Sequence, residues 1–183
     1  MSRDERFENI RQRAKRAAIA HDETEIPFLC ECLAIGERDN GAPPRLVAGA
    51  ALGALGYDAI IAALEPLLES ANPTTRGGAA YALGRSGDAR AVPILASRLG
   101  DPSDDVVLWL ALALSRLGNP AVSALRQALR SVRGELPQAG YFVDALHKIG
   151  TAESAETIQE ELQSLRPQQR TLLLDFDSPL LDE

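Results

Sequence analysis

The chain has 183 residues; hydrophobic residues make up 45% of it and aromatic residues only 4%, and its formal net charge is −7. An interior built mainly from Ala, Leu, Ile and Val favours closely packed helices over a β-sandwich, which uses more aromatic and β-branched residues. The net negative charge repels phosphate backbones, so we expect no nucleic-acid partner.

The N-terminal segment, MSRDERFENIRQRAKR, is charged where a secretion signal would need an apolar core. No stretch of the chain approaches the roughly 18 consecutive apolar residues of a membrane span. We therefore expect a cytoplasmic protein with no membrane partner. The same segment predicts a long, highly charged first helix over about residues 4–20, as in a capping unit with a solvated outer face.

A repeated pattern occupies the middle of the chain. Four segments contain an Ala-Leu pair whose Ala precedes a Gly by five residues, and the four glycines are spaced 31, 31 and 32 residues apart. The residues of this pattern are Ala51, Leu52 and Gly56; Ala82, Leu83 and Gly87; Ala113, Leu114 and Gly118; and Ala145, Leu146 and Gly150. That spacing is the period of a repeated helix pair.

Each repeat predicts a first helix, a glycine turn and a second helix. The glycine stands where a helix ends in a left-handed residue, a conformation that glycine adopts without a Cβ penalty. The second helix is amphipathic, as Val92, Leu95 and Leu99 show at positions i, i+3 and i+7. Residue types that favour the N-cap of this second helix follow each glycine, at Asp58, Asp88, Asn119 and Thr151.

A degenerate copy of the repeat precedes these four, since Ile26, Pro27 and Leu29 match Val92, Pro93 and Leu95. We predict five helix pairs in one array that spans residues 1–166, followed by an apolar and acidic tail over residues 167–183. The expected fold is all-α, a right-handed α-solenoid. The five pairs are predicted over about residues 4–36, 42–70, 74–100, 103–133 and 137–166.

Residues 76–95, RGGAAYALGRSGDARAVPIL, resemble the consensus of the HEAT-like repeats first described in phycobilin lyases. The shared pattern is an Arg early in the first helix, then Ala-Leu-Gly, then Gly-Asp-x-Arg-Ala-Val-Pro-x-Leu. The second unit keeps Arg45, whereas the fourth and fifth units have Val107 and Ala139 at the arginine position. The resemblance covers about nine-tenths of the chain. It implies an architecture rather than one activity, because this repeat serves unrelated proteins.

The sequence contains no recognisable catalytic constellation. The two histidines, His21 and His147, lie in the first and last units, and neither a phosphate-binding Gly-Lys-Ser/Thr loop nor a His-Glu-x-x-His motif is present. Cys30 and Cys32 point roughly 200° apart on a helix, which disfavours a disulfide between them, and two thiols without nearby histidines do not make a zinc site. We therefore expect no enzymatic activity, no catalytic or metal-binding residue and no cofactor.

An apolar helix in the fourth unit is the first candidate binding feature. Its sequence from residue 106, VVLWLALAL, is apolar on every side, whereas a helix of a repeat array usually keeps one polar face. Repeat alignment places Leu112 at the outward position that Tyr81 occupies in the third unit. With Leu108 and Trp109, these two residues could form an apolar patch on the convex surface. The alternative is that this helix is simply covered.

The second helices offer another candidate, because they line the concave face in the resembling family. We expect acidic side chains at one end of this groove and arginines at the other, where they could bind a partner protein. The alternative is an ordinary solvated face. The predicted partner-binding residues of the groove are Glu65, Glu69, Arg98, Arg126 and Arg130, while Glu31 shares their outward position.

The tail interleaves leucines with acids from residue 172 onward, and Pro179 prevents a continuing helix. We expect it either to pack back on the last repeat or to dock on a partner. Residues 1–20 carry six basic and three acidic residues, whereas residues 151–183 carry eight acidic residues and two arginines. This asymmetry allows head-to-tail self-association, although screening weakens it at physiological salt.

Together these features predict a non-enzymatic protein–protein interaction module, such as an adaptor, scaffold or regulatory subunit. Its partner would be another protein bound on the solenoid surface. The resemblance to HEAT-like repeats implies an alternative, a bilin lyase-like or chromophore-handling subunit. No individual residue of this sequence indicates a bilin site.

Overall fold

A computed structural model describes residues 2–36, 43–133 and 135–176, and every regular element within these ranges is helical. The chain divides into two compact units, Met1–Ala91 and Val92–Glu183. The described helices follow one another in the order predicted from the repeat, with a first and a second helix in each unit of about 31 residues. The chain is an all-helical α-solenoid, as predicted.

The first compact unit contains two complete helix pairs and the first helix of a third. The helices are α1 (Arg3–Ala20), α2 (Ile26–Cys32), α3 (Pro44–Leu55), α4 (Tyr57–Leu64) and α5 (Pro73–Arg85), with short 3-10 helices at Glu23–Glu25 and Pro66–Glu69. α1 packs on α3 and α3 packs on α5, so the first helices form one layer, while α2 and α4 contact each other beside them. The largest buried side chains of this unit include Phe7, Leu29, Leu52, Ile60 and Leu83.

The layer of first helices depends on glycines in α3. A Cβ atom added to Gly49 would lie 2.7 Å from Cδ1 of Tyr81. A Cβ atom added to Gly53 would collide with the Cβ atom of Arg85 and lie 2.8 Å from its carbonyl carbon. These two glycines therefore permit the close approach of α3 to α5. Helix propensity alone would not favour glycine at these positions.

The second compact unit continues the same pattern. Helix α6 (Ala91–Ala96) begins at the last residue of the first unit. The helices that follow are α7 (Asp104–Leu117), α8 (Val122–Val132), α9 (Gln138–Ile149), α10 (Ala152–Ser164) and α11 (Pro167–Leu174), with a short 3-10 helix at Asn119–Ala121. α7 packs on α9, and α8 packs on both α9 and α10. The largest completely buried side chains of this unit are Phe142, Leu95, Leu110, Leu114 and Leu125.

The glycine turns between first and second helices have the positive φ angles expected from the sequence. Gly150 is left-handed helical as predicted, whereas Gly56 and Gly118 are not, because their ψ angles are 158° and −147°. Gly56, Gly87, Gly118 and Gly150 have φ angles of 90°, 69°, 74° and 67°. Each of these glycines therefore occupies a region of φ that a side chain disfavours.

The described part of the tail packs back on the second unit. Arg170 of α11 donates from its Nε atom to the carbonyl oxygen of Leu162, 2.8 Å away, at the end of α10. Leu173 is buried, and the ring of Phe176 lies edge-on to Tyr141 with 5.8 Å between the ring centroids. The Phe176 ring also occupies the space that a side chain at residue 140 would need, since that residue is glycine. The predicted role of Pro179 lies outside the described residues.

Candidate functional site

The predicted apolar patch is not exposed at Tyr81. Only 9% of this residue is accessible to solvent, and its ring fills the space left by Gly49 on α3. Repeat alignment placed the side chain outward, but the neighbouring first helix comes close enough to cover it. The expected exposure of Tyr81 is therefore wrong.

The expected exposure of Leu112, in the second compact unit, is also wrong. This residue is 3% exposed, and Leu108 and Trp109 are half-buried. Nine residues of α7 are buried in all, and the helix packs on α9. α7 is therefore largely covered by its neighbours, and the alternative to an exposed apolar patch is the correct one at Leu112. A binding role for Leu108 and Trp109 stays a prediction.

The two predicted groove arginines of α8 contact the next second helix. The Nη2 atom of Arg126 donates to the hydroxyl oxygen of Thr157 at 2.7 Å and lies 3.2 Å from a carboxylate oxygen of Glu160. Arg130 donates from its Nε atom to a carboxylate oxygen of Glu161 at 2.8 Å. These contacts join residues about one repeat apart. Both arginines therefore tie α8 to α10, whatever else they bind.

The other predicted groove residues are placed separately from one another. Glu65 and Glu69 are exposed in the first unit, at the end of α4 and in the 3-10 helix that follows it. Arg98 is half-buried in the second unit, just beyond α6. A partner-binding role for these residues stays a prediction.

An uncharged groove lies between α6 and α8 in the second unit and has a volume of about 470 Å³. On the α8 side, its wall contains Ala124, Gln127, Ala128 and Ser131, which lie on one face of the helix at spacings of three and four residues. The remaining lining residues are Pro93, Ala96, Ser97, Leu99, Gly100, Val132 and Gln138. α8 therefore turns one face toward this groove and an adjacent, arginine-bearing face toward α10.

The groove was not predicted as a site because its residues are small and uncharged. The signal that could have revealed it is the repetition of alanine on the second helices, at Ala96 on α6 and at Ala124 and Ala128 on α8. Small side chains at these positions leave a depression between neighbouring helices. The predicted site consisted of charged residues instead, and two of these, Arg126 and Arg130, are engaged in contacts between repeats.

A second cavity of the same unit, with a volume of about 400 Å³, lies where the ends of α8 and α10 meet α11. Leucines form part of its wall, and both acidic and basic side chains surround it. Its lining residues are Leu129, Arg130, Arg133, Glu135, Glu161, Leu162, Ser164, Leu165, Arg166, Gln169 and Leu173.

A charged cluster in the first unit connects the starts of two second helices. Arg90 donates from Nη1 and Nη2 to the two carboxylate oxygens of Asp58, at 2.8 and 3.1 Å. It also donates to Asp88, and its guanidinium lies 4.6 Å from the centroid of the Tyr57 ring. Hydrogen bonds from Arg90 hold the pKa of Asp88 below its usual value. This cluster joins two repeats at the surface, and its one guanidinium group pairs with both carboxylates.

The cysteines have the properties of structural thiols. Cys32 is buried, and its burial raises the pKa of the thiol to about 11, so it is protonated at neutral pH. Burial also raises the pKa of Cys30. Over residues 2–36, 43–133 and 135–176, no group of three or more His, Cys, Asp or Glu side chains is placed to hold a metal ion. None of the helices in these ranges has the length and hydrophobicity needed to cross a membrane.

Comparison with known protein families supports the repeat assignment. A family model described as HEAT repeats matches residues 26–115, from the start of α2 into α7. A search of the curated proteins gives no match. HEAT repeats generally act as protein-interaction modules. The family match, the helix pairs and the regularly spaced glycine turns agree with one another, and the chain is a HEAT-like repeat protein.

Proposed function

We propose that this protein is a non-enzymatic interaction module that binds a partner protein in the uncharged groove between α6 and α8. The observation that carries the proposal is the groove itself, a depression of about 470 Å³ whose described lining residues are all uncharged. A chain with a quarter of its residues charged would ordinarily place charges on such an accessible surface. An uncharged depression on it is therefore a suitable site for apolar side chains of a partner.

The arginines on the adjacent face of α8 support this proposal. Because Arg126 and Arg130 are engaged with residues of α10, they are held away from the groove. A partner can then bury an apolar side chain without removing an unpaired charge from water, which would oppose binding. One leucine-sized side chain buried in this way contributes about 1.5–3 kcal/mol. Several such contacts would suit a partner that presents an amphipathic helix.

The experiment compares two alanine-to-arginine variants that differ in position. Ala124→Arg puts a long cationic side chain into the groove, whereas Ala155→Arg puts the same side chain on an exposed site of α10 that does not line it. Both residue types favour helices, so neither change should disturb the helix strongly. Each variant and the parent chain would be coupled to resin and exposed to a lysate of the source organism. Bound proteins would be quantified by mass spectrometry.

We expect at least one protein to bind the parent chain and Ala155→Arg equally but Ala124→Arg at least about tenfold less. Circular dichroism and thermal unfolding of each variant would verify that the fold is retained. Equal binding of every captured protein to Ala124→Arg and the parent chain would contradict the proposed groove. No aromatic residue is among those described in the lining of these two cavities, which disfavours the chromophore-handling alternative.

A further inference from the structure

The cavity between the ends of α8, α10 and α11 combines apolar and cationic surfaces. Leu129 and Leu173 are buried at its wall, and Leu162 and Leu165 are half-buried beside them. Three arginines and two glutamates also line it. The cavity is separate from the uncharged groove, because the two share no lining residue.

The charges around this cavity do not cancel. Arg130 and Glu161 form one ion pair, with 2.7 Å between an Nη2 and a carboxylate oxygen atom. Arg133 and Arg166 form no ion pair with any residue in the described part of the chain, and both are exposed. Glu135 is the one remaining acid among the described lining residues. The rim therefore has an excess of positive charge on a protein whose net charge is −7.

A single side chain fixes the backbones of the two arginines relative to each other. The Gln169 amide donates from Nε2 to the carbonyl oxygen of Arg133 at 3.0 Å. Its Oε1 atom accepts a hydrogen bond from the backbone N–H of Arg166 at 3.3 Å. Arg133 ends α8 with a φ angle of 49°, and Arg166 precedes the first residue of α11. The packing of α11 thus brings the backbones of both arginines to the edge of the same cavity, which both residues line.

We propose that this cavity binds an acidic segment of a partner protein in which leucines or similar residues lie next to Asp or Glu. The apolar side chain would contact the leucine wall, and the neighbouring carboxylates would pair with Arg133 and Arg166. Guanidinium groups match carboxylates geometrically through two parallel hydrogen bonds. At physiological ionic strength the screening length is about 8 Å, so these local charges outweigh the more distant net negative charge.

A peptide segment fits this surface better than a free carboxylate. A small acid would use the arginines but leave the leucine wall in contact with water. An uncharged apolar ligand would use the wall but leave both cations unpaired. A segment that supplies both groups gains from apolar burial and from charge pairing at once. Both contributions are therefore required for tight binding, and each can be removed separately.

The test measures fluorescence anisotropy with the full chain and a fluorescein-labelled nine-residue peptide that contains three leucines and four acidic residues. One control peptide has amides in place of the acids, and another has serines in place of the leucines. The protein variants are Arg133→Gln, Arg166→Gln and their combination. Lys15→Gln is the matched control, because Lys15 is an exposed cation on α1 that does not line the cavity.

We expect the acidic peptide to bind, each single variant to weaken binding about fivefold and the double variant at least about 20-fold, while Lys15→Gln binds as the parent chain does. Both control peptides should bind at least about tenfold more weakly than the acidic peptide. No binding at millimolar peptide, or equal binding by the double variant, would overturn the proposal. Displacement of the peptide by an equal concentration of glutarate would show a site for free carboxylates and would also overturn it.

This proposal does not depend on the groove between α6 and α8. Ala124→Arg should leave peptide affinity unchanged, because residue 124 does not line this cavity. Loss of peptide binding in that variant would contradict the assignment of the peptide to this site. The two surfaces can therefore succeed or fail separately.

Discussion

Gly53 provides a direct test of the close packing of α3 on α5. In an isolated helix, replacing Gly by Ala stabilises the helix by about 0.8–1.0 kcal/mol. At Gly53 the added Cβ atom would collide with the Cβ atom of Arg85 and lie 3.1 Å from the carbonyl oxygen of Ala82. Because backbone atoms are involved, the helices must separate, and overpacking of this kind costs about 1–3 kcal/mol.

The gain in helix propensity offsets part of this cost, so we expect Gly53→Ala to lower the free energy of unfolding by up to about 2 kcal/mol. For a chain of this size the melting temperature should fall by up to about 8 °C. The measurement is thermal and urea unfolding followed by circular dichroism. Ala54→Gly is the calibration, since residue 54 is an exposed neighbour on the same helix and reports the propensity difference alone.

The sign of the change in unfolding free energy distinguishes the effect of close packing from that of helix propensity. If α3 and α5 were farther apart in solution, Gly53→Ala would stabilise the protein by about as much as Ala54→Gly destabilises it. That result would refute the close approach. A destabilised Gly53→Ala protein with an unchanged urea dependence would support it, because the extent of unfolding would then be the same as in the parent chain.

Three further predictions concern single groups. Thr151→Ala removes the side chain that caps α10 through the Ser154 N–H and should cost about 1 kcal/mol of unfolding free energy, whereas Thr151→Ser should cost little in the same thermal assay. Hydrogen bonds from Arg90 lower the pKa of Asp88 in the folded protein. The stability that they contribute is therefore present above the ordinary pKa of Asp88 and is lost as the pH falls through its lowered, folded-state pKa. NMR titration of Asp88 should find no lowering of its pKa in Arg90→Gln. Cys32, with a pKa of about 11, should react with iodoacetamide at pH 8 far more slowly in the folded than in the urea-unfolded protein. Equal reaction rates would show that the Cys32 thiol is not buried in the folded protein.

The sequence predicted the helix pairs because their signals are local. A glycine with a positive φ angle stands at the same place in the four regular repeats, as at Gly56 and Gly118. Capping was less predictable. Thr151 caps α10 as expected, but Gly56 stands at the N-cap position of α4, and Asp58 lies within its first turn. The Asp58 side chain instead forms an ion pair with Arg90 of the next repeat.

The surface was harder to predict, because exposure depends on what the next helix covers. Alignment placed Tyr81 and Leu112 outward, yet both are buried. Their burial depends on neighbouring side chains: Gly49 leaves space for the Tyr81 ring, and no property of Tyr81 itself reveals that space. Packing of the tail had a similar cause, since the Phe176 ring requires a glycine at residue 140 of a different helix.

Differences between repeats, rather than their shared pattern, generate the candidate binding surfaces. The shared Ala and Leu positions are buried in the core, and the shared glycines form the turns between helices. The groove arises where α6 and α8 carry alanines, and the second cavity arises where the array ends and α11 packs against α8 and α10. Arg133 and Arg166 both lie at helix ends in this irregular region, and Gln169 connects their backbones. Substitutions in the shared positions should therefore alter stability first, whereas substitutions at Ala124, Arg133 or Arg166 should alter binding with little effect on the fold.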